Sequence, residues 1–536
     1  MRRLPILLLF SAAAFGVWNC TPKKPAFEIA DVDTTITVQN SFSELFLDSA
    51  ALTRFMEGRS LHDSLAARMR SFYNSRNYQF AWFFPTGVAD YAATFLNMQD
   101  QYLYYSGDSA IYLPGLKERV AVLSARKEAD PRDSLVTETE FLLTYQFFRY
   151  AYYAYSGDRD VNLQDLGWFI PRKKLDLAPF LDSLLANKGS RVEEYEPVNP
   201  QYNLLKRHLL RFYEIDKEGT WPELAPGRKV YREGDSDSIV TEVRKRLSLL
   251  GYGPAGEGDS LSVITPALTE SVKDFQQHYG LADDGRMGAS FFNELNVSPR
   301  QRIRQILINM ERIRWMPDNP DTDYLLVNIP EFRLHVYEKG RPAFRMNVVV
   351  GSAVHNTVVF SDVVSQVVFS PYWYVPASIL NNEIRPALAR NPNYLARNNM
   401  EWHGNSVRQK PGPRNSLGLV KFLFPNSYNI YLHDTPSKKL FDESKRAFSH
   451  GCIRVSEPQK LAEFLLRKDS TWTTEKIAAA MHAGKERAVR LKPHEQVPVV
   501  IGYFTAWVGS DGKLNFRNDV YGHDRKMEAR YFGSEK

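Results

Sequence analysis

IYLHDTPSKKLFDESKRAFSHGCIRV, Ile430 to Val455, gathers one thiol, two imidazoles and a glycine into a short span. Cys452 is one of only two cysteines in the 536-residue chain, and Ser449, His450 and Gly451 lead directly into it. His433 ends an apolar run nineteen residues earlier. A thiol attacks a carbonyl as thiolate, and a neighbouring imidazole either removes its proton or holds it as an ion pair. Gly451 has no Cβ, so a substrate carbonyl can approach the backbone and nearby N–H groups can receive an oxyanion. Tyr428 to Leu432 reads as a short strand, Pro436 to Phe448 as a polar connection, and Ser449 to Val455 as a turn feeding a second strand. Base and nucleophile would then stand on neighbouring strands.

The string is longer than a lone cysteine and a lone histidine. HD followed fifteen residues later by SHGC and a hydrophobic residue resembles the signature of the L,D-transpeptidase catalytic domain. WYVPASILNNEIRPALARNPNYLARNNM from Trp373, PGPRNSLGLVKFLFPNSYNIYLHDTP from Pro411 and LFDESKRAFSHGCIRVSEPQKLAEFLL from Leu440 are similar to the large multidomain L,D-transpeptidases of Gram-negative envelopes. Arg454 stands where shorter members often carry asparagine and where the large ones carry arginine. The resemblance implies an acyl transfer without a cofactor, in which Cys452 attacks a peptidoglycan tetrapeptide stem with His433 as general base. D-Alanine leaves, and an amine of a second stem takes the acyl group to give a direct link between diaminopimelate residues, a 3-3 crosslink. It also implies acylation by carbapenems. His450 is expected to orient the thiol or His433, and Ser449 and Arg454 to fix the loop by hydrogen bonds to backbone or carboxylate. Trp373 and Tyr431 are candidate cleft-lining groups.

Other chemistries fit less well. A papain-like hydrolase ordinarily places its cysteine before its histidine and at the start of a helix, the reverse of the order here. A zinc site from His433, His450 and Cys452 lacks a fourth ligand and the usual short spacings. A peptidoglycan-binding envelope lipoprotein that makes no crosslinks would need no thiol, and an L,D-carboxypeptidase would share the thiol but pass the acyl group to water. The net charge of +6 is mild for this length and no basic face is clustered, which argues against a nucleic-acid partner.

The remaining chain reads as an α+β multidomain protein, since its length exceeds what one core supports. Arg2 and Arg3 followed by the apolar Leu4 to Val17 form an export signal over residues 1–20. Cys20, ahead of Thr-Pro-Lys-Lys, stands where a lipoprotein signal places its lipidated residue, which implies a lipid-anchored location in the periplasmic envelope, the alternative being ordinary cleavage nearer the alanines at 12 to 14. Residues 21–45 read as a linker. Amphipathic helices with aromatic stripes, taken as core, fill residues 46–222, a region similar to the helical scaffold of the large transpeptidases.

Residues 232–296 resemble the small three-helix peptidoglycan-binding domain on an FQxxxGL…DG pattern. Val243, Leu247, Leu250, Val272 and Phe275 face inward there, and Gly251, Gly280 and Gly285 mark the turns. The acidic turn at Ala282 to Gly285 lacks the spaced ligands of a calcium loop, so no metal is expected. A connecting helix at 297–318 shows Ile303, Ile306, Leu307 and Met310 on one side and arginines on the other. Period-two patterning then marks a mostly β catalytic domain over 319–507, with Lys339-Gly340 as a hairpin turn. An insertion at 377–417, helical over Asn381 to Arg397 with a following loop, corresponds by the resemblance to a lid over the cleft that would keep water from the thioester, the alternative being a passive surface insertion. A hairpin turning at Ser510-Asp511-Gly512 is expected to complete the sheet, with 508–536 as hairpin and tail.

Overall fold

The computed structural model describes residues 29–158, 161–173, 175–254, 261–316 and 322–533. The export signal, Cys20 and the start of the linker lie outside the described residues. Two compact units form. The first takes the described residues up to Asn97 with Tyr112–Arg149 and Leu184–Gly189; the second takes Met98–Ile111, Tyr150–Ser183 and the chain from Ser190 onward. The stretch read as one scaffold, 46–222, is thus divided between them.

The first unit is helical and its aromatic stripes are core. Trp82, Phe95 and Phe147 are buried and pack ring against ring, with centroids 5.6 Å apart for Trp82–Phe95 and 5.3 Å for Phe95–Phe147. Glu140 is buried among them. Its carboxylate accepts the backbone N–H groups of Ala81 (2.7 Å) and Trp82 (2.9 Å) and the Tyr73 hydroxyl (3.0 Å), so a polar group ties the turn before Trp82 to the core.

In the second unit, helices Ser238–Leu250, Pro266–His278 and Ala289–Asn296 make a small three-helix module. Asp237 and Thr265 cap the first two at their N-termini, each accepting a backbone N–H of the first turn. Val243, Leu247, Val272 and Phe275 are fully buried, while Leu250 at the helix end is half-buried. The FQ…DG pattern has a structural cause: Gln276 Oε1 accepts the N–H of Gly285 (2.8 Å), and its Nε2 donates to Asp284 Oδ1 (3.2 Å) and the Arg286 carbonyl (2.9 Å).

The connecting helix runs Pro299–Trp315 behind a capping box of Ser298 and Gln301. Of its arginines only Arg300 is exposed. Arg302, Arg312 and Arg314 are each drawn in beside a carboxylate, Glu294 (2.5 Å), Asp524 (2.5 Å) and Glu311 (2.6 Å) respectively. Charge pairing lets the helix be buried on more sides than its apolar stripe alone would permit.

The catalytic region is a curled mixed sheet. In spatial order its path runs Arg487–Arg490, Gln366–Phe369, Val420–Leu423, Leu432–His433, Ile453–Val455, Arg341–Gly351, Arg333–Glu338, Tyr324–Asn328, Val497–Gly502 and Phe360–Val364. Ala447–Ser449 pairs in parallel with the edge of Arg341–Gly351. Val348, Val349 and Val350 are all fully buried, as expected for a strand covered on both faces. Lys339 and Gly340 turn the hairpin with φ of 48° and 73°.

Three expectations change. The strand expected over Tyr428 to Leu432 shrinks to Leu432–His433, because Asn426 Oδ1 accepts the N–H groups of Tyr428 and Ile430 and Asn429 takes φ 56°, which makes 426–430 a turn. The region of the expected lid is not helix and loop alone: Trp373–Tyr374, Ser406–Gln409 and Met400–His403 form a three-stranded sheet over a small core of Val375, Leu380, Ile384 and Val407. The closing hairpin, Ala506–Val508 with Leu514–Phe516, is a separate ribbon, and the strand that joins the main sheet is Val497–Gly502. Buried Asn328 and Asn309 accept the N–H groups of Phe504 and Thr505 (2.9 Å each), which ends the ladder between the two.

Replacing Gln276 with alanine strands the buried Gly285 N–H, at a cost of about 1–3 kcal/mol. Hydrogen exchange should show the Gly285 amide losing protection by the matching factor, and unchanged protection would contradict this role.

Candidate active site

The site is built on two short parallel strands. Leu432–His433 pairs with Ile453–Val455 in the register Leu432↔Ile453 and His433↔Arg454. Leu432 and Ile453 are fully buried, so they face the core. Side chains alternate along a strand, and Tyr431, His433, Cys452 and Arg454 therefore leave by the other face. The Tyr431 and His433 rings lie 5.7 Å apart there.

Cys452 is a half-buried free thiol. Its Sγ lies 3.5 Å from the Asn429 carbonyl, and the backbone N–H and hydroxyl of Tyr431 also bond to it. Burial pushes the thiol above its ordinary range, against the pull of the two Tyr431 donors and of the Arg454 charge. Tyr431 is thus brought to the thiol itself rather than merely lining a cleft.

His433 is buried, and burial with the charge of Arg454 pushes its imidazole down to about 3, against the opposing carbonyls of Asp434 and Leu417. Its Nδ1 faces the carbonyl of Asp434, which assigns the proton to Nδ1 and leaves Nε2 as the basic nitrogen. Asp434 is fixed in turn. Its carboxylate accepts the Leu419 N–H (2.8 Å) and the Lys438 ammonium (2.5 Å), and its N–H donates to the Val420 carbonyl (2.9 Å). Gly418 makes room for that carboxylate: a Cβ there would come within 2.3 Å of Asp434 Oδ2.

The loop before the thiol is tied on itself. Ser449 Oγ donates to the Cys452 carbonyl (2.5 Å) and accepts the Gly451 N–H (3.2 Å), and Gly451 takes φ 110°, a conformation that favours glycine. Thr357 Oγ1 donates to the Gly451 carbonyl (2.8 Å) and accepts the Gly351 N–H (2.9 Å). The Tyr521 hydroxyl donates to the Gly351 carbonyl (2.6 Å) and accepts the Thr357 N–H (3.3 Å). Ser449 holds the loop as expected. The Gly451 N–H, however, is turned into the loop rather than toward an oxyanion.

The other expected residues separate. His450 is exposed; its Nε2 lies 3.4 Å from Glu383 of the lid and its ring 4.9 Å from that of His355, so it orients neither the thiol nor His433. Trp373 packs against the lid core. Arg454 was expected to hydrogen-bond to backbone or carboxylate, but its Nε is buried with no acceptor among the described residues. Asp434, Thr357 and Tyr521 were missed. Asp434 was visible in the HD pair, whereas nothing in the sequence links Thr357 or Tyr521 to a loop so many residues away. A cavity of about 630 Å³ beside Asp434 is lined by Lys438, Glu457, Lys460, Glu463 and His482, and includes neither Cys452 nor His433. Among the described residues no group of three or more His, Cys, Asp or Glu is placed to hold a metal ion.

A raised thiol and a depressed imidazole on one face favour the neutral forms over a thiolate and an imidazolium. Alkylation of Cys452 by iodoacetamide should therefore climb steadily with pH from about 5 to beyond 8, because the thiolate fraction grows until the raised thiol value is passed. Tyr431→Phe, which removes a donor to the thiolate, should slow it by roughly fivefold at a fixed pH near 7. A plateau in the acidic range would contradict the neutral pair.

Comparison with known proteins finds three family matches along the chain. Residues 322–491 match the family model described as "L,D-transpeptidase catalytic domain", 67–209 the "Scaffold domain" and 236–295 the "Putative peptidoglycan binding domain". A Haemophilus influenzae protein named "Putative L,D-transpeptidase" is 31% identical over 245 residues, which covers 42% of this chain and 49% of that one. The chain thus spans about half the length of the curated relative it matches. Among solved structures, an L,D-transpeptidase from Xylanimonas cellulosilytica is 14% identical with a TM-score of 0.18, covering 52% of this chain and 100% of that one. One from Mycobacterium smegmatis is 11% identical with a TM-score of 0.20, covering 35% and 60%. These structural overlaps are slight, and the assignment rests on the family matches. The chain carries an L,D-transpeptidase catalytic domain together with a scaffold domain and a peptidoglycan-binding domain.

Proposed function

We propose that the protein is a peptidoglycan L,D-transpeptidase in which Cys452 transfers the acyl group of a tetrapeptide stem to a second amine. The observation that carries this reading is the shared face of Cys452, Tyr431 and His433 within a region matched by the catalytic-domain family. In the first step the thiol proton passes to His433 Nε2 as Sγ bonds to the carbonyl carbon of the residue before D-alanine. The tetrahedral intermediate collapses, the C–N bond breaks, and the His433 proton goes to the departing amine of D-alanine. In the second step an acceptor amine attacks the thioester, gives its proton to His433, and the new amide forms as the thiol is restored. Nothing is oxidised and no nucleotide is spent.

The Asp434 carbonyl holds the imidazole in the tautomer this needs. With the Gly451 N–H turned to Ser449, the amides of Cys452 and His450 are the donors we assign to the oxyanion. The match to a peptidoglycan-binding domain supports a wall substrate. A diaminopimelate amine as acceptor, giving a 3-3 crosslink, is the finer part of the proposal, as is susceptibility to carbapenems. An envelope location with a lipid on Cys20 belongs to the same reading, supported by Arg2, Arg3 and the apolar run that follows them.

Purified protein incubated with disaccharide tetrapeptide should release D-alanine and form dimers linked through diaminopimelate, seen by mass spectrometry. Cys452→Ala should abolish both, and His433→Gln should lower the rate by about 10²–10⁴-fold. Crosslinking by Cys452→Ala would exclude the mechanism, and tripeptide without dimers would identify an L,D-carboxypeptidase.

A further inference from the structure

Arg454 is a partly buried cation with no carboxylate partner among the described residues, two residues from the nucleophile. Its neighbours form one row across three strands: Lys421 pairs with His433, and His433 with Arg454, on the face that carries the thiol. Lys421 is committed, its Nζ donating to the Tyr372 carbonyl at 3.3 Å. Arg454 is not. Its Nε is shut off from solvent with no acceptor, and its guanidinium makes no ion pair among the described residues. Three buried arginines of the same unit, Arg302, Arg312 and Arg314, are each paired with a carboxylate at 2.5, 2.5 and 2.6 Å, and buried Arg246 donates to the Leu295 and Pro222 carbonyls and to Asn296 Oδ1.

Drawing a guanidinium out of water is unfavourable unless an anion replaces the lost hydration. Arg454 leaves the sheet on the same face as Cys452, the face from which a donor must reach the thiol. A planar guanidinium offers parallel N–H groups that match a carboxylate in two hydrogen bonds.

We propose that Arg454 binds a carboxylate of the donor stem peptide and so fixes the scissile carbonyl over the thiol. This rests on the acyl-transfer reading above. A stem of that kind carries two candidate carboxylates, the α-carboxylate of the leaving D-alanine and the side-chain carboxylate of diaminopimelate. The chemistry recognised is the same for both. Arg454 acts on the substrate directly, selecting donors by charge, while His433 and Cys452 make and break bonds.

The test uses the full chain and three donors: the tetrapeptide ending in D-alanine, its C-terminal carboxamide, and an analogue with lysine in place of diaminopimelate. Release of the C-terminal residue is followed for the wild type, Arg454→Gln and Arg454→Lys. The wild type should lose at least about tenfold in kcat/KM on one of the two altered donors, chiefly through KM, and the donor affected identifies the carboxylate. Arg454→Gln should lose a similar factor on the parent donor and become indifferent to removal of that carboxylate. Arg454→Lys, which keeps the charge without the fork, should recover part of the preference and show that the site still folds. Equal rates on all three donors in the wild type, or unchanged discrimination in Arg454→Gln, would overturn the proposal. If no donor is cleaved by a wild type whose Cys452 still takes iodoacetamide, the acyl-transfer reading itself has failed, which is a different result.

Discussion

The parallel pairing of Leu432–His433 with Ile453–Val455 is the constraint from which the site follows. Because side chains alternate with a period of two, one register sends Leu432 and Ile453 into the core and sends Tyr431, His433, Cys452 and Arg454 out together. A slip of one residue would bury the thiol and expose the leucine, so the same apolar burial that stabilises the sheet also holds the reactive groups in company. The pairing is short, and bracing from outside compensates. Asp434 ties the first strand to Leu419 and Lys438, while Ser449, Thr357 and Tyr521 tie the loop before the second.

The electrostatics fit a base that works by accepting a proton during attack rather than beforehand. His433 lies between Lys421 and Arg454 in the ladder, so an imidazolium there is disfavoured by both burial and neighbouring charge. Cys452 is kept as a thiol by its own burial. Both groups rest in their neutral forms, and charge appears only as the carbonyl is attacked. The two cations flanking His433 also suit an anionic peptide, whose negative charge would lower the cost of protonating the imidazole between them.

Much of this was legible from residue order. Cys452 and His433 stood out because a cysteine preceded by serine, histidine and glycine is an unusual combination, and strand alternation was readable on both sides of it. The three-helix module was readable too, since Val243, Leu247, Val272 and Phe275 keep a helical interval. What the sequence hid was polar and long-range. Asn426 ends a strand that the apolar pattern extends, Asn309 and Asn328 stop another, and Thr357 and Tyr521 reach the thiol loop from distant parts of the chain. Periodicity reports burial, not the partner of a buried donor. His450 misled for the related reason that adjacency in a motif says nothing about direction: its ring turns to Glu383 and His355.

The central claim is that the sulfur of Cys452 becomes covalently bound to the stem peptide while D-alanine departs. Rapid acid quenching of the full chain with tetrapeptide in the absence of an acceptor, followed by peptide mass mapping, addresses it directly. The account predicts a thioester on the peptide containing Cys452, heavier by the tetrapeptide minus D-alanine and removed by neutral hydroxylamine. An adduct on another residue, or D-alanine release in bursts with Cys452 unmodified throughout, would contradict it.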